Sequence, residues 1–268
     1  MTRGLAVVTG ASSGIGRAYA ESLAARGYPL LLVARRAERL RELAAWATAT
    51  HGVEAGTVVA DLATEEGLAA CRQAIDDHGG PVEVAILNAG FGASGAFSEI
   101  GRGRQADMVR LNCVAVVDLA AHVVPRMVAQ GYGALVVVSS AAAWQPVPGM
   151  ATYAATKAFE LHLGEALSEE LRGTGVRALA VCPGPTSTEF SMSSGASSTH
   201  PLIPFDDVDL VVRATWRALA AGRRRAPTGL VSRGSMLASR LLPRGLVVRA
   251  AGITHRLPRP LKGSEGPT

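Results

Sequence analysis

Cysteine is scarce in this sequence. The three that occur, Cys71, Cys113 and Cys182, are widely spaced, form no Cys-x-x-Cys pair and do not cluster with the six histidines at metal-ligand spacing. The sequence therefore predicts no metal site and no disulfide framework. Buried or inert thiols in a reducing compartment are favoured over a redox role.

Aromatic residues and long apolar runs are scarce as well. Aromatics make up 4% of the chain, which leaves little for stacking on the bases of nucleic acids. The chain contains no run of about 18 uncharged apolar residues that would span a bilayer. Its first four residues lead straight into an apolar stretch, without room for a signal peptide. We expect a soluble, cytoplasmic protein that binds no nucleic acid.

Positive charge is placed unevenly along the chain. The formal net charge is only +5, but nine arginines lie between Arg223 and Arg259. We predict one domain over residues 1–229, followed by a basic, apolar C-terminal extension over residues 230–268 whose end is disordered. This extension could contact a membrane surface. An arginine-rich face exposed to solvent is favoured.

Short apolar runs alternate with helical patterns over the first 182 residues. Strands that are apolar on both faces and alternate with helices are typical of a parallel sheet covered on both sides. Right-handed crossovers then give an α/β fold, a single doubly wound Rossmann-type domain with a sheet of about seven strands. The predicted strands are Leu5–Val8, Pro29–Ala34, Val53–Ala60, Val84–Leu87, Leu135–Val138 and Val176–Val181. The predicted helices are Gly14–Arg26, Ala37–Ala49, Thr64–Asp77, Gln105–Ala129, Thr152–Leu171 and Asp206–Ala221, with an irregular segment over residues 186–205 before the last helix.

A glycine-rich turn follows the first strand and opens the first helix. Its sequence is Thr9-Gly10-Ala11-Ser12-Ser13-Gly14-Ile15-Gly16. Glycines let the backbone turn sharply and approach a ligand closely, and the helix N-terminus offers free N–H groups to a pyrophosphate. Between a strand and a helix, this turn predicts a dinucleotide-binding site.

The end of the second strand carries no acid. The chain reads Val33-Ala34-Arg35-Arg36 where an acidic residue would hydrogen-bond the adenosine ribose hydroxyls of NAD. Arginine instead forms charge-assisted hydrogen bonds with phosphate. We predict NADP(H), with Arg35 as the first and Arg36 as the second ligand of its 2′-phosphate. The alternative is that both arginines are surface charges at the start of the next helix.

Tyr153 and Lys157 are four residues apart at the start of a predicted helix. That spacing places both side chains on one helical face, about one turn apart. A phenol with a pKa of about 10 is a poor acid or base near neutrality. A nearby ammonium, joined by an oxidised nicotinamide, would lower that pKa. The pair therefore predicts general acid–base chemistry by Tyr153.

From Leu5 to about Thr188 the chain resembles the classical short-chain dehydrogenase/reductase family, by its TGxxxGIG turn and the motifs that follow in the family's order. The resemblance implies that Ser140 hydrogen-bonds the substrate oxygen and that Asn112 holds a water next to Lys157. The expected catalytic residues are Asn112, Ser140, Tyr153 and Lys157.

The same resemblance implies contacts along the whole cofactor. Asp61-Leu62 would border the adenine, Asn88-Ala89-Gly90 would line the cofactor, and the turn that begins at Pro183 would face the nicotinamide. The expected cofactor-binding residues are Gly10, Ser12, Ser13, Gly14, Ile15, Gly16, Arg35, Arg36, Asp61, Leu62, Asn88, Ala89, Gly90, Tyr153, Lys157, Pro183, Gly184, Thr186 and Thr188.

These motifs predict an oxidoreductase that transfers a hydride between NADP(H) and a carbonyl or secondary alcohol. An apolar substrate is expected in a pocket bounded by Phe91–Ala93, residues 144–150 and a mobile lid over residues 186–205, with apolar side chains from Trp144, Met150, Phe190, Met192 and Phe205. Two alternatives are a non-catalytic NADP-binding sensor or scaffold, and a membrane-peripheral lipid carbonyl reductase that docks through the C-terminal extension. The resemblance also implies a homodimer or homotetramer that pairs through the two long predicted helices.

Overall fold

The computed structural model describes residues 3–186, 189 and 205–254. In this part of the chain, seven parallel strands form one sheet in the order β3-β2-β1-β4-β5-β6-β7. The strands are β1 (Leu5–Thr9), β2 (Leu30–Ala34), β3 (Ala55–Val59), β4 (Val82–Leu87), β5 (Gly133–Val138), β6 (Val176–Cys182) and β7 (Arg225–Pro227). The predicted doubly wound Rossmann-type fold is confirmed. The strand order reverses between β1 and β4, which is where folds of this kind bind ligands.

Helices cover both faces of the sheet. They are α1 (Gly14–Ala24), α2 (Ala37–His51), α3 (Glu65–Asp77), α4 (Arg102–Val109), α5 (Ala115–Gln130), α6 (Ala151–Glu170), α7 (Val208–Ala220), α8 (Gly229–Leu241) and α9 (Arg244–Thr254). A π-helical segment, Arg110–Val114, joins α4 to α5, and a short 3-10 helix covers Ala141–Trp144.

Two apolar cores lie on opposite sides of the sheet, because successive side chains of a strand point to opposite faces. In β2, Leu30 and Leu32 pack with α1, α2 and α7 on one side. Leu31 and Val33 pack with α3 and α5 on the other. Every residue of β1 and β2 is buried, which explains why these strands have continuous apolar sequences.

The C-terminal part of the described chain differs most from the sequence prediction. Strand β7 was not located, because its three residues end in proline and form no apolar run. It pairs with β6 at the edge of the sheet. The predicted extension forms two helices, α8 and α9, which are separated at Leu242-Pro243. Helix α8 is tied to the domain by Trp144, whose Nε1 donates to Ser232 Oγ at 3.1 Å.

One continuous helix runs from Arg102 to Gln130 through α4, the π-helical segment and α5. By length and composition alone it could cross a membrane. Its Leu119, Val123 and Met127 lie in the core beneath the sheet, as in the core helix of a globular domain. The sequence predicts an uninterrupted helix here, whereas the structure contains a π turn, a feature often found at functional sites.

Candidate active site

The glycine-rich turn leaves β1 with a backbone that only glycine adopts readily. Gly10 has φ +66° and Gly14 has φ +53°. A Cβ on Gly16 would lie 2.3 Å from the Gly10 carbonyl oxygen, so α1 approaches the turn closely only because residue 16 has no side chain. Ser13 precedes α1 without capping it by its hydroxyl. The N-terminus of α1 is therefore free to present N–H groups at this turn.

Asn88 ties the glycine turn to the neighbouring strand β4. Its Nδ2 donates to the Thr9 carbonyl at 3.0 Å, and Thr9 Oγ1 accepts the backbone N–H groups of Asn88 at 2.9 Å and Ala89 at 3.0 Å. Gly90 comes next, and a Cβ there would lie 3.3 Å from Lys157 Nζ. The predicted dinucleotide turn and the predicted acid–base pair thus border one crevice at the carboxyl ends of the central strands.

Arg36 lies over the glycine turn. Its Nε and Nη2 donate to the Ser12 hydroxyl at 3.1 and 2.9 Å, and Nη2 also donates to the Ser13 hydroxyl at 2.6 Å. The Glu189 carboxylate accepts hydrogen bonds from Arg36 and Arg39 at 2.6 Å each. These hydrogen bonds hold the pKa of the Glu189 carboxyl below its usual value. The two guanidinium groups therefore already bind one anion, and the same donors fit a phosphate.

Arg35 has a different neighbour. Its Nη1 lies 3.6 Å from Asp61 Oδ2, and its side chain is 70% exposed. Of the two predicted phosphate ligands, only Arg36 is hydrogen-bonded to the glycine turn in the described part of the chain. Arg39 was missed by the sequence analysis, although its position three residues after Arg36, at the start of α2, was a usable signal.

Ser140, Tyr153 and Lys157 come together, as the spacing of Tyr153 and Lys157 and the family resemblance of Ser140 predict. Tyr153 lies in the first turn of α6, and its hydroxyl is hydrogen-bonded to Ser140, just beyond β5. Lys157 Nζ lies 5.8 Å from the centre of the Tyr153 ring. Ser139, the neighbour of Ser140, donates from its hydroxyl to the Lys157 carbonyl at 2.6 Å and so fastens α6 to β5.

Asn112 is fully buried in the π-helical segment. Its Oδ1 accepts from the Phe91 N–H at 3.1 Å, and its Nδ2 donates to the Phe91 carbonyl and to Thr156 Oγ1, both at 3.0 Å. These contacts join the turn after β4 to α6 at Thr156, the residue before Lys157. That Asn112 holds a water beside Lys157 stays a prediction.

Glu160 is the residue that the sequence analysis missed at this site. Lys157 Nζ donates to its Oε1 at 2.9 Å, lies 2.8 Å from its Oε2, and also donates to the Val138 carbonyl at 3.0 Å. The side chains of Lys157 and Glu160 are 5% and 2% exposed. An acid three residues after a lysine shares its helical face, which was the available signal.

The pKa of Tyr153 is raised above its usual value. Burial is the main cause, and the Glu160 carboxylate adds to it, whereas Lys157 and the hydrogen bond with Ser140 act in the opposite direction. Lys157 does act to lower this pKa, as predicted, but burial outweighs it in the chain alone, so the pKa is not brought toward neutrality. The second positive charge named by the sequence argument, an oxidised nicotinamide, would be needed for that.

The turn after β6 lies against the 3-10 helix that follows Ser140. The Pro183 carbonyl accepts from the Ala141 N–H at 2.7 Å, and Thr186 Oγ1 donates to the Gly184 carbonyl at 2.9 Å. This places the predicted nicotinamide turn beside the predicted catalytic serine. Thr188 lies outside the described residues, as do Phe190, Met192 and most of the predicted lid.

An apolar crevice adjoins Tyr153. Met108, Val147 and Met150 pack in one cluster with the Tyr153 ring. The crevice is lined by Ala93, Gly95, Phe97, Ile100, Gln105, Met108, Gly149, Ala151 and Thr152. Trp144, predicted to border the pocket, packs instead against Leu161 and Cys182, in a separate cluster.

Known proteins share this sequence pattern and fold. The family profile described as short chain dehydrogenase matches residues 4–198. The short-chain dehydrogenase from Sphingobium yanoikuyae, solved in complex with NADPH, is 32% identical, with a TM-score of 0.79 over 98% of this chain and 99% of its own. The bulky-bulky ketone specific alcohol dehydrogenase from Comamonas testosteroni is 30% identical, with a TM-score of 0.76 over 98% of each chain.

Some sequence relatives have names that bear on catalysis. The protein called Inactive hydroxysteroid dehydrogenase-like protein 1 from Pongo abelii is 34% identical over 199 residues, which are 73% of this chain and 59% of that relative. The chain thus covers about three fifths of the length of that protein.

Since the family profile covers most of the chain and the structural likeness extends over nearly all of it, the chain belongs to the classical short-chain dehydrogenase/reductase family of oxidoreductases.

Proposed function

We propose that this protein is an NADP(H)-dependent oxidoreductase of the cytoplasm that interconverts an apolar carbonyl compound and its secondary alcohol, with Tyr153 as general acid and base. One observation carries the proposal: Tyr153 and Ser140 are hydrogen-bonded to each other beside the Lys157 ammonium. Two hydroxyls so placed can donate to one carbonyl oxygen, and one of them can give it a proton.

When NADPH is bound, it would supply the hydride that carbonyl reduction requires. Ser140 and Tyr153 hold the carbonyl oxygen. The Tyr153 O–H bond breaks, and its proton passes to that oxygen while the pair of electrons stays on the phenolate. The Lys157 ammonium stabilises the phenolate. Asn112 keeps α6 in register with the turn after β4, so that the reacting groups stay aligned.

NADP(H) is the proposed cofactor because of the donors around Arg36. Arg36, Arg39 and the Ser12 hydroxyl would bind the 2′-phosphate in place of the Glu189 carboxylate. This reverses the ranking from the sequence, which put Arg35 first. The NADPH bound by the Sphingobium yanoikuyae relative supports the same cofactor. Asp61 and Leu62 would border the adenosine.

A ketone with bulky apolar substituents is the proposed substrate class. The crevice beside Tyr153 is lined by five apolar side chains and by two polar ones: Ala93, Phe97, Ile100, Met108 and Ala151, with Gln105 and Thr152. The Comamonas testosteroni relative is named for ketones with two bulky groups, which agrees with an apolar site.

A homodimer or homotetramer is proposed through the long helices. Helix α5 and the residues just before it expose Val109, Val114, Val117 and Val128, and α6 exposes Phe159. Apolar side chains grouped on two neighbouring helices mark a surface that a second copy of the chain would cover.

The proposed function is tested by a screen of ketones and alcohols. Purified protein is mixed with NADPH or NADP⁺, and nicotinamide absorbance is followed against a blank without substrate. We expect turnover with apolar ketones, faster with NADPH than with NADH. If the protein binds NADPH but turns over no compound in either direction, the non-catalytic sensor or scaffold is the better description.

A second candidate, a membrane-peripheral lipid carbonyl reductase, is favoured by one surface. Helices α8 and α9 expose Leu230, Leu237, Leu241, Leu246 and Ile253. Leu230, Leu237 and Leu241 share one face of α8 by their spacing. Four arginines are interleaved with these residues in the sequence, and no Asp or Glu occurs between residues 210 and 264. Apolar and basic residues together are typical of interfacial helices.

Vesicle co-sedimentation tests this second candidate. If α8 and α9 dock on lipid, the protein should sediment with anionic vesicles, less with zwitterionic vesicles, and less again after Leu237→Asp and Leu241→Asp. Glu54→Gln, on the loop before β3, is the control and should leave sedimentation unchanged. No binding to anionic vesicles would make the surface an arginine-rich face exposed to solvent.

A further inference from the structure

The ammonium of Lys157, one of the proposed catalytic residues, has one carboxylate partner among the described residues. Glu160 lies one helical turn further along α6, and both of its oxygens are within 2.9 Å of Lys157 Nζ. The Val138 carbonyl takes a second hydrogen bond from Nζ at 3.0 Å. The ammonium is therefore held between β5 and Glu160, at the edge of the crevice that contains Tyr153.

The Glu160 carboxylate is buried at a cost in free energy. Glu160 is 1% exposed, and its Oε2 makes no hydrogen bond with any other described group. Removing two charges from water costs more than packing an apolar pair of the same size. Burial raises the pKa of Glu160 to about 7, so its carboxyl is fully charged only above neutral pH. A pair that is this costly to bury points to a role in the chemistry of Lys157.

We propose that Glu160 is a positioning residue: its carboxylate fixes the Lys157 ammonium against β5 and keeps protons on Lys157 and Tyr153, which biases the site toward carbonyl reduction. This inference rests on the proposed function. An anion favours the protonated form of any acid beside it. Tyr153 must be protonated to donate to a carbonyl oxygen, and Lys157 must be charged to stabilise the phenolate.

The other titratable groups that face the pair carry no competing negative charge near neutral pH. Cys113 faces Lys157 and Glu160 from the π-helical segment, and burial raises its pKa to about 11. Cys182 faces Glu160 from β6, and burial raises its pKa to about 12. Burial alone would lower the pKa of Lys157, but the Glu160 carboxylate and the Tyr153 oxygen raise it above its usual value. Glu160 is thus the carboxylate that raises the pKa of both Lys157 and Tyr153, although burial raises that of Tyr153 more.

Glu160→Gln removes the charge and keeps the size of the side chain. The alkaline limb of the pH profile of kcat for reduction should move to lower pH, because both proton donors lose the anion that favours their protonated forms. Glu160→Asp keeps the charge but moves it away from Nζ, so it should give a smaller shift in the same direction. Glu165→Gln is the matched control, since Glu165 lies on the same helix and pairs with Arg225 instead. It should leave the profile unchanged.

A second measurement does not depend on turnover. The ultraviolet absorbance of tyrosinate is followed as pH is raised, and the titration of the same protein carrying Tyr153→Phe is subtracted to isolate Tyr153. Tyr153 should ionise at lower pH in Glu160→Gln than in the unchanged protein. Melting curves define the pH range in which each variant is folded, and the Asp variant decides the question if the Gln variant does not fold.

The proposal is overturned if the midpoint of the alkaline limb and that of the Tyr153 titration stay in place, or move to higher pH, in both Glu160 variants. This failure differs from a failure of the proposed function. If Tyr153→Phe retains turnover, the assignment of Tyr153 is wrong, while the tyrosinate titration still reports whether Glu160 holds the proton.

Discussion

Replacing Tyr153 by phenylalanine is expected to lower kcat for carbonyl reduction by about 10²–10⁴-fold, the usual contribution of a positioned proton donor. The substitution removes the hydroxyl that is hydrogen-bonded to Ser140. The ring remains in its cluster with Met108, Val147 and Met150, so the fold and the crevice should be retained. The dissociation constant of NADPH should change little, because the hydroxyl acts on the substrate oxygen.

The measurements are kcat by nicotinamide absorbance, NADPH affinity by fluorescence titration, and the melting temperature. Tyr132→Phe is the control: Tyr132 is 43% exposed before β5, and its loss of a hydroxyl should leave all three values unchanged. Turnover of Tyr153→Phe close to that of the unchanged protein would mean that another group supplies the proton. Parallel losses of melting temperature and turnover would indicate unfolding instead, and Ser140→Ala would then be the next variant to compare.

Most residues of this site could be predicted from the sequence, because the parallel sheet brings the residues that follow its strands together. The glycine turn, Asn88-Ala89-Gly90, Ser140 and Pro183-Gly184 each follow a strand that is identifiable by its apolar run. Parallel strands end at the same edge. Once the strands are identified, the residues after them are brought together whatever the details of packing. Tyr153 and Lys157 then need only the helical period to share a face.

The residues that were missed depend on where individual side chains point. Glu160 occupies a position that any helix-favouring residue could fill, and its role depends on which side of α6 packs against β5. The π turn at Asn112 comes from one extra residue in a helical turn, which no apolar period reveals. β7 forms because it pairs with β6, although Arg225 and Pro227 have little strand character of their own.

At the cofactor site, too, the sequence did not reveal where individual side chains point, as Arg35 and Arg36 show. Both follow β2, and the sequence could not decide which of two successive residues faces the glycine turn, because one residue of offset reverses the direction of a side chain in extended backbone. In the structure Arg36 faces the glycine turn, where it donates to Ser12 and Ser13. Arg35 points elsewhere and forms an ion pair with Asp61. The order of the two arginines is therefore open to a direct test.

Arg36→Asp should raise the dissociation constant of NADPH by about 10²-fold. A hydrogen bond to a charged group contributes about 1.5–3 kcal/mol, which corresponds to roughly 10- to 100-fold in affinity, and the new carboxylate would also repel the 2′-phosphate. NADH affinity should stay within a few-fold, since a carboxylate can accept from ribose hydroxyls. Arg35→Asp is the matched control and should have a much smaller effect, because Arg35 is exposed and paired with Asp61. Fluorescence titration with both cofactors gives all four dissociation constants. An equal loss of NADPH and NADH binding in Arg36→Asp would show that the glycine turn itself had been disturbed, whereas a larger loss of NADPH binding in Arg35→Asp would place the phosphate on the Asp61 side of the turn.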